Sequence, residues 1–338
     1  MRCALLLLTV RMSISRMSAT GAARPIVVVG SINADIYLEV PRVPAVGETL
    51  IATADPRIFP GGKGANQAAA AARLTGRCQM VGQVGGSDAY GEQMLERARA
   101  CGVDTSLVAR HPTASTGQAY IVLQADGDNS IIVVGGANQL WPEDEPLGAG
   151  TREAIACASC LLLQREIPER VNIAAATLAR ASGVPVVLDV GGEDSAVSKE
   201  LLALCTSVSP NETELARMTG LPTDDDARVL AAARALLAGG MISEVVVKLG
   251  ARGCMRVGAD GREPLWQAAF PVAQVVDTTG AGDCFTAAFA VACAEGRDVG
   301  ASLRFATAAA SLAVQTRGAM TSMPAREMVE RLMAGTAA

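Results

Sequence analysis

The chain has 338 residues, half of them hydrophobic, with a formal charge of −5 and only 3% aromatic side chains. That length allows one large α/β domain with a smaller appendage and a sizeable core of Ala, Val, Leu and Ile. An acidic balance with few rings argues against a nucleic-acid surface, which needs clustered Lys and Arg to neutralise phosphates and aromatic platforms to stack bases. No apolar run approaches the roughly 20 residues of a membrane span. His111 is the single histidine, so a histidine-based triad is excluded; beside Pro112 it reads as a loop residue. The nine cysteines are scattered through apolar runs such as Val291-Ala292-Cys293, which fits reduced thiols in a reducing compartment. Cys157 and Cys160 have C-x-x-C spacing but no second pair, so core thiols are expected there and not zinc.

In chain order, residues 1–24 read as a leader. No Asp or Glu precedes Asp35, while Arg2, Arg11, Arg16 and Arg24 and the hydroxyls of Ser13, Ser15, Ser18 and Thr20 are spread along it. That is the composition of an organellar transit segment. Ala4–Val10 is a short secretory alternative, and a start at Met12 or Met17 would leave a cytoplasmic protein. Buried-strand patterns follow at Ile26–Val29, Gln79–Val84, Leu161–Gln164, Val184–Val190 and Val245–Lys248. Helical stretches fall between and after them: Asp88–Ala100, Pro168–Ala181, Asp224–Leu237, Ala281–Ala294 and Ala301–Val314. The alternation predicts a doubly wound, mostly parallel sheet with helices on both faces, within one domain spanning 25–338. Period-two segments at Asp35–Val40, Thr49–Ile58, Gln118–Gln124 and Ser130–Val134 interrupt the scheme, the last two around a hairpin signal at Ala125–Asn129. They are expected to form a small β-sheet lid from about 35–58 and 118–134. Its outer face, with Ile121, Leu123, Ile132 and Val134, would be covered by a second copy in a homodimer.

Two glycine-rich turns carry the chemistry. Asp277-Thr278-Thr279-Gly280-Ala281-Gly282-Asp283 opens straight into the apolar helix from Cys284. Its glycines and the first helical turn gather backbone N–H groups and partial positive charge, which makes an anion hole with Asp283 inside it. A carboxylate beside a phosphate site suits phosphoryl transfer to a hydroxyl, with Asp283 taking the proton; a plain helix cap is the competing reading. The loop Gly61-Gly62-Lys63-Gly64-Ala65-Asn66-Gln67 precedes an Ala-rich helix and is not a Walker A loop, because Gly64 follows Lys63. Asn33 and Asp35 follow the first strand, at the sheet edge where doubly wound folds bind ligands, and an amide and a carboxylate there suit sugar hydroxyls; an Asx turn is the alternative.

Asn33-x-Asp35, Gly61–Gln67, Pro210-Asn211-Glu212-Thr213-Glu214 and Asp277–Asp283 together resemble the ribokinase-like (PfkB) carbohydrate kinase family, from about Pro25 to Pro324. Leu163–Pro168 and Leu188-Asp189-Val190-Gly191-Gly192 resemble its plant-type branch, which points to a plastid for the leader. The resemblance implies ATP-dependent phosphorylation of D-ribose at O5. Asn33, Asp35, Gly61, Gly62, Lys63 and Asn66 would bind the sugar and Glu166 its far side. Asp283 would be the base, with Gly280, Ala281, Gly282 and Asp283 holding the transferring phosphate. Asn211 and Glu214 would organise Mg²⁺ through water. Lys248, Gly250 and Gly253 would run along the ATP, with Thr307 near the adenine. K⁺ would be held by Asp277 and Ser322 side chains and the carbonyls of Thr279, Ala313, Thr316 and Gly318. Cys284 and Lys248 depart from the family pattern; Lys248 either reaches ATP phosphates or is a solvated strand-end lysine. Another sugar or a nucleoside as acceptor, or a sugar-binding protein without turnover, are the competing functions. A nicotinamide dehydrogenase is not supported, since no G-x-G-x-x-G follows the first strand.

Overall fold

The computed structural model describes residues 24–126 and 128–335. The predicted leader lies outside them except for Arg24. In chain order the strands are β1 (Ile26–Val29), β2 (Asn33–Val40), β3 (Arg57–Gly61), β4 (Cys78–Gly85), β5 (Val103–His111), β6 (Gly117–Gln124), β7 (Asn129–Val134), β8 (Cys160–Leu163), β9 (Val186–Asp189), β10 (Ser207–Ser209), β11 (Glu244–Lys248), β12 (Cys254–Gly258) and β13 (Leu265–Gln267). The helices are α1 (Lys63–Thr75), α2 (Ala89–Ala100), α3 (Ala149–Ala156), α4 (Glu169–Ala181), α5 (Lys199–Leu204), α6 (Glu212–Thr219), α7 (Asp226–Ala238), α8 (Ala281–Ala294), α9 (Val299–Ala313) and α10 (Arg326–Met333).

The large sheet has the order β13-β12-β11-β10-β9-β8-β1-β4-β5, parallel from β11 to β5 and antiparallel at β12 and β13. Its middle strands, Ile26–Val29 and Cys160–Leu163, are continuous apolar runs because both faces are covered. On one face lie α1, α8 and α9, whose Ala68–Ala72 and Ala287–Ala292 stretches are buried; small side chains let these helices pack close to the sheet and to one another. On the other face α4 and α7 bury Val171, Ala175, Val229 and Ala232. The chain goes to β4 on one side of β1 and to β8 on the other. The carboxyl ends of β1 and β8 therefore flank a topological switch point, where such sheets open a crevice for ligands.

A separate sheet of order β3-β2-β6-β7 forms the expected lid. The strand expected over Thr49–Ile58 is confined to Arg57–Gly61; 49–56 is exposed loop with Ile51 out in solvent. Pro56 explains the late start, since it has no N–H to give a ladder and disfavours a regular residue before it. The lid's expected outer face is also corrected. Ile131 lies opposite Ile121, while Ile132 lies opposite Tyr120 and Val134 opposite Gln118. Ile121 and Leu123 thus share one face and Ile132 and Val134 the other, a one-residue parity that sequence alternation in two separate strands does not fix. Ile121 is buried, whereas Ile131, Ile132, Val133 and Val134 are all exposed. His111 ends β5 instead of lying in a loop, and its Nδ1 accepts the amides of Thr113 and Ala114. Of the C-x-x-C pair, Cys160 is buried and Cys157 exposed.

Candidate active site

The first turn of α1 is pressed onto the β1–β2 connection. Gly62 has φ +86°, and a Cβ there would stand 2.8 Å from Asn33 N and 3.0 Å from Ser31 O, so both conformation and space require glycine. The close approach lets the Lys63 amide donate to Glu166 Oε2 at 2.9 Å and Ser31 Oγ to the same oxygen at 2.5 Å. Asn138 staples the neighbouring backbone: it accepts from Ile32 N at 3.0 Å and donates to Asn33 Oδ1 at 2.7 Å. With its oxygen taken, Asn33 presents its amide N–H groups as donors. Asp35 on β2 lies against the backbone of Gly61, where a Cβ would collide with its carboxylate. Burial, and then the charges of Glu166 and Asp283, push the Asp35 carboxyl up to about 7.

Across this cleft is the amino end of α8. Gly280 takes the left-handed conformation, φ +77°, that turns the chain into the helix. Asp283 follows in the first turn, buried, with Oδ2 accepting from Asn66 Nδ2 at 3.0 Å and Oδ1 from Gln67 Nε2 at 3.3 Å. Lys63 Nζ is 3.5 Å from Oδ1. Gln164 Nε2 donates to Gln67 Oε1 at 2.8 Å and so orients that amide towards the carboxylate. Among the described residues Asn66 Oδ1 is a buried acceptor with no partner, which suits an incoming hydroxyl. The expected anion hole is narrower than the sequence implies. The Ala281 N–H turns to Thr278 O at 3.2 Å, so a phosphate would share it, while no backbone carbonyl among the described residues takes the N–H of Gly282 or Asp283.

Asp189, at the end of β9, lies between the two halves and is completely buried. Its Oδ2 accepts from Lys248 Nζ at 2.7 Å and Thr286 Oγ1 at 2.8 Å; its Oδ1 accepts from Gly191 N at 3.0 Å and is 3.7 Å from Lys63 Nζ. Burial opposes its charge, but Lys248 and Lys63 overcome that and hold the carboxyl down at about 2. Burial likewise opposes the charge on Lys63, yet Asp283, Asp189, Glu166 and Glu214 hold its pKa above the usual lysine value. Lys248 is not a solvated strand-end lysine: its side chain is 12% exposed and its Nζ would lie 3.6 Å from a Cβ on Gly282.

On the nucleotide side, Asn211 and Glu214 form a capping box on α6, Asn211 N to Glu214 Oε2 at 2.7 Å and Glu214 N to Asn211 Oδ1 at 2.8 Å. The Gly250–Arg252 turn and Gly253 follow Lys248, whose amide donates to Pro210 O at 2.9 Å. Thr307 lies beside the end of this turn, against the residue that follows Gly253. It is buried on α9 with its hydroxyl 3.4 Å from Cys254 Sγ. Beneath the anion hole, Asp277 accepts from Thr279 N and Gly318 N, each at 2.9 Å. Partial burial works against its charge, but these hydrogen bonds keep its carboxyl below the usual range. Ser322 Oγ donates to Ala319 O at 2.8 Å, leaving its lone pairs free to accept. The lid touches this region, with Phe59 beside Gly318 and Tyr37 packed edge-on against Phe59. Cys284 is inert, its thiol pushed up by burial and then by Asp283.

Sequence reasoning gave no role to Gln67, Gln164, Asn138 or Asp189. For Gln67, Gln164 and Asp189 the signal was present, since all three stand inside motifs that carry the family resemblance. Among the described residues there is no group of three or more His, Cys, Asp or Glu that could hold a metal by itself.

Residues 23–326 match the family model described as pfkB family carbohydrate kinase. The chain is 48% identical over 317 residues to ribokinase of Arabidopsis thaliana, covering 92% of this chain and 81% of that protein. It is 40% identical over 310 residues to ribokinase of Bacillus subtilis, covering 92% and 99%. A solved structure of Arabidopsis thaliana ribokinase complexed with ribose and ATP is similar with a TM-score of 0.88 at 47% identity, over 92% of this chain and 99% of that one. A family match across the sheet, the lid and both glycine turns agrees with a carboxylate and an anion hole facing one cleft: the chain belongs to the pfkB family of carbohydrate kinases.

Proposed function

We infer that this chain transfers the terminal phosphoryl group of ATP to O5 of D-ribose, giving D-ribose 5-phosphate and ADP. The observation that carries the reading is the placement of Asp283: its carboxylate is oriented by Asn66 and Gln67 at the helix start whose free amides form the anion hole. Asn33, Asp35, Gly61, Gly62, Lys63, Asn66 and Glu166 would take the sugar. Asp283 would accept the O5 proton while the O5–phosphorus bond forms and the bond from phosphorus to the bridging oxygen of ADP breaks. Asn211, Lys248, Gly250, Gly253, Gly282 and Thr307 would line the path of ATP, and lid closure would exclude water as a competing acceptor. The test is ATP consumption against D-ribose, fructose and adenosine, each with K⁺ or Na⁺. Ribose-dependent turnover is expected; a preference for fructose or adenosine would keep the kinase and replace the acceptor.

Mg²⁺ and K⁺ belong to the same reading. The carboxylates of Asp35, Glu166, Asp189, Glu214 and Asp283 outnumber the ammonium groups of Lys63 and Lys248, so a polyphosphate needs a divalent cation to enter. Glu214 keeps one oxygen outside its capping bond, and with Asn211 it would hold Mg²⁺ through water; the ion would neutralise phosphate charge. The side chains of Asp277 and Ser322 and the carbonyls of Thr279, Ala313, Thr316 and Gly318 offer hard oxygen ligands of the kind K⁺ takes, next to the loop that shapes the anion hole. An organellar destination is proposed from the composition of the leader, and a plastid from the plant-type resemblance.

A homodimer through the lid is also part of the proposal. The support is β7, an edge strand with Ile131, Ile132, Val133 and Val134 exposed on both faces, which a second lid would cover. Ile132→Glu is expected to give a monomer in size-exclusion chromatography with light scattering. A variant that stays dimeric would place the interface elsewhere.

The Asp35 carboxyl gives a pH dependence. Near pH 7 it is about half protonated. Only the ionised form accepts hydrogen bonds with both oxygens. Ribose kcat/KM should therefore rise from pH 6 to 8 and then level, and Asp35→Asn should flatten that rise. Stability runs the other way. A carboxyl raised from 3.8 to about 7 costs stability progressively as pH climbs through that window. Asp35→Asn should then raise the ligand-free Tm more at pH 8 than at pH 5. Equal gains at both pH values would show that Asp35 is not held protonated.

A further inference from the structure

Asp189 has no role of its own in the reaction as derived, although it lies 3.7 Å from the Lys63 ammonium. Yet it is a carboxylate with no exposure, which a fold tolerates only when the charge is paired and hydrogen-bonded. Its partners come from three separate elements. Lys63 starts α1 on the sugar side, Lys248 ends β11 on the nucleotide side, and Thr286 lies on α8 three residues after Asp283, on the same helix face. The backbone is shaped for this meeting. Gly191 leaves open the space that Lys63 enters, since a Cβ there would lie 2.7 Å from Nζ. A lysine at a strand end ordinarily extends into water and samples many rotamers. Lys248 is instead drawn inward by Asp189 until its ammonium lies beside Gly282, whose amide is one of the free donors of the anion hole.

We propose that Asp189 is a positioning residue for phosphoryl transfer: it fixes Lys63 and Lys248 on either side of Asp283, so that Lys248 meets the terminal phosphate of ATP at Gly282 while Lys63 meets the acceptor. This rests on the kinase reading above. It accounts for a buried carboxylate that would otherwise only add to the negative charge facing ATP. It also makes the two lysines interdependent, because one anion orients both.

The test compares Asp189→Asn, Lys248→Met and the double variant for kcat, for KM of ribose and of ATP, and for ATP and ADP affinity by calorimetry without sugar. Asp189→Asn is expected to lower kcat roughly 10- to 100-fold, the scale of a displaced catalytic group, with ribose KM changed by less than about threefold. Lys248→Met is expected to weaken ATP roughly tenfold and ADP far less, as for loss of one charged hydrogen bond to the terminal phosphate. The double variant should be no slower than the slower single variant, since the pair acts as a unit. Multiplying effects in the double variant, equal weakening of ATP and ADP, or a raised ribose KM at unchanged kcat would each overturn the proposal. If Asp189→Asn does not fold, Thr286→Val removes one hydrogen bond to the same carboxylate and should lower kcat more in the parent protein than in Lys248→Met, where only the hold on Lys63 is left to loosen; an equal factor in both would overturn the proposal. Ribose turnover by the unaltered protein tests the kinase reading separately, and the ATP-against-ADP comparison tests Lys248 whatever the acceptor.

Discussion

Asp283→Ala is expected to lower turnover by about 10²- to 10⁴-fold, the range for loss of a general base. Sugar affinity should change little, because Asn33, Asp35, Lys63 and Glu166 are set by β2, the Gly62 turn and Ser31 and not by Asp283. Lys63 would also stay charged and in place, with Asp189, Glu166 and Glu214 still around it. The truncation leaves the amides of Asn66 and Gln67 without their acceptor, and a water entering the space would take them. Asp283→Asn is the poorer control. Both carboxylate oxygens receive N–H donors, so either orientation of an asparagine amide sets donor against donor. Steady-state turnover alongside ribose binding without ATP separates the two effects. Turnover near that of the unaltered protein would remove Asp283 from the role of base.

What the sequence revealed of this site depended on how local the signal was. The start of α8 was legible because Gly280–Asp283 is a short polar turn running into an apolar helix, and the helix forms at the expected residues, Ala281–Ala294. β1 and β8 were legible because a strand buried on both faces has to be continuously apolar. β5 was not: as the edge of the large sheet it alternates polar and apolar residues without a clear run. The parity of β6 against β7 was also hidden, since it is set by the connection between them and not by either strand. The Asp189–Lys248 pair lies 59 residues apart, and nothing at either position signals the other. Lys248 could therefore be read as solvated until the fold brought β9 and β11 to the same floor.

Gly280→Ala should be nearly as damaging as loss of the base, although it adds a single methyl group well outside the sugar pocket. The residue has φ +77°, and a left-handed conformation costs an L-residue about 1–2 kcal/mol. Space is the larger obstacle. The new Cβ would lie 2.8 Å from Ala319 Cβ and 2.9 Å from its Cα, so a flexible side chain cannot simply swing away. Either the amino end of α8 or the segment around Gly318–Ser322 must shift. Both carry groups of the proposed site: the first the Gly282 and Asp283 amides, the second the Gly318 amide that bonds Asp277 and the Ser322 hydroxyl. Removing one preorganised donor from such a hole costs about 10²–10³ in turnover, and a shifted helix start displaces two. We expect a loss of at least about 10² in kcat, a lowered Tm, and ribose binding within a few-fold of normal. Gly282→Ala separates strain from crowding, because its Cβ would make only an ordinary 3.6 Å contact with Lys248 Nζ. That variant should keep its Tm and lose turnover, since the methyl group would occupy the space of the phosphate. If Gly280→Ala lost stability alone and kept its turnover, the amino end of α8 would not be where the phosphoryl group is held.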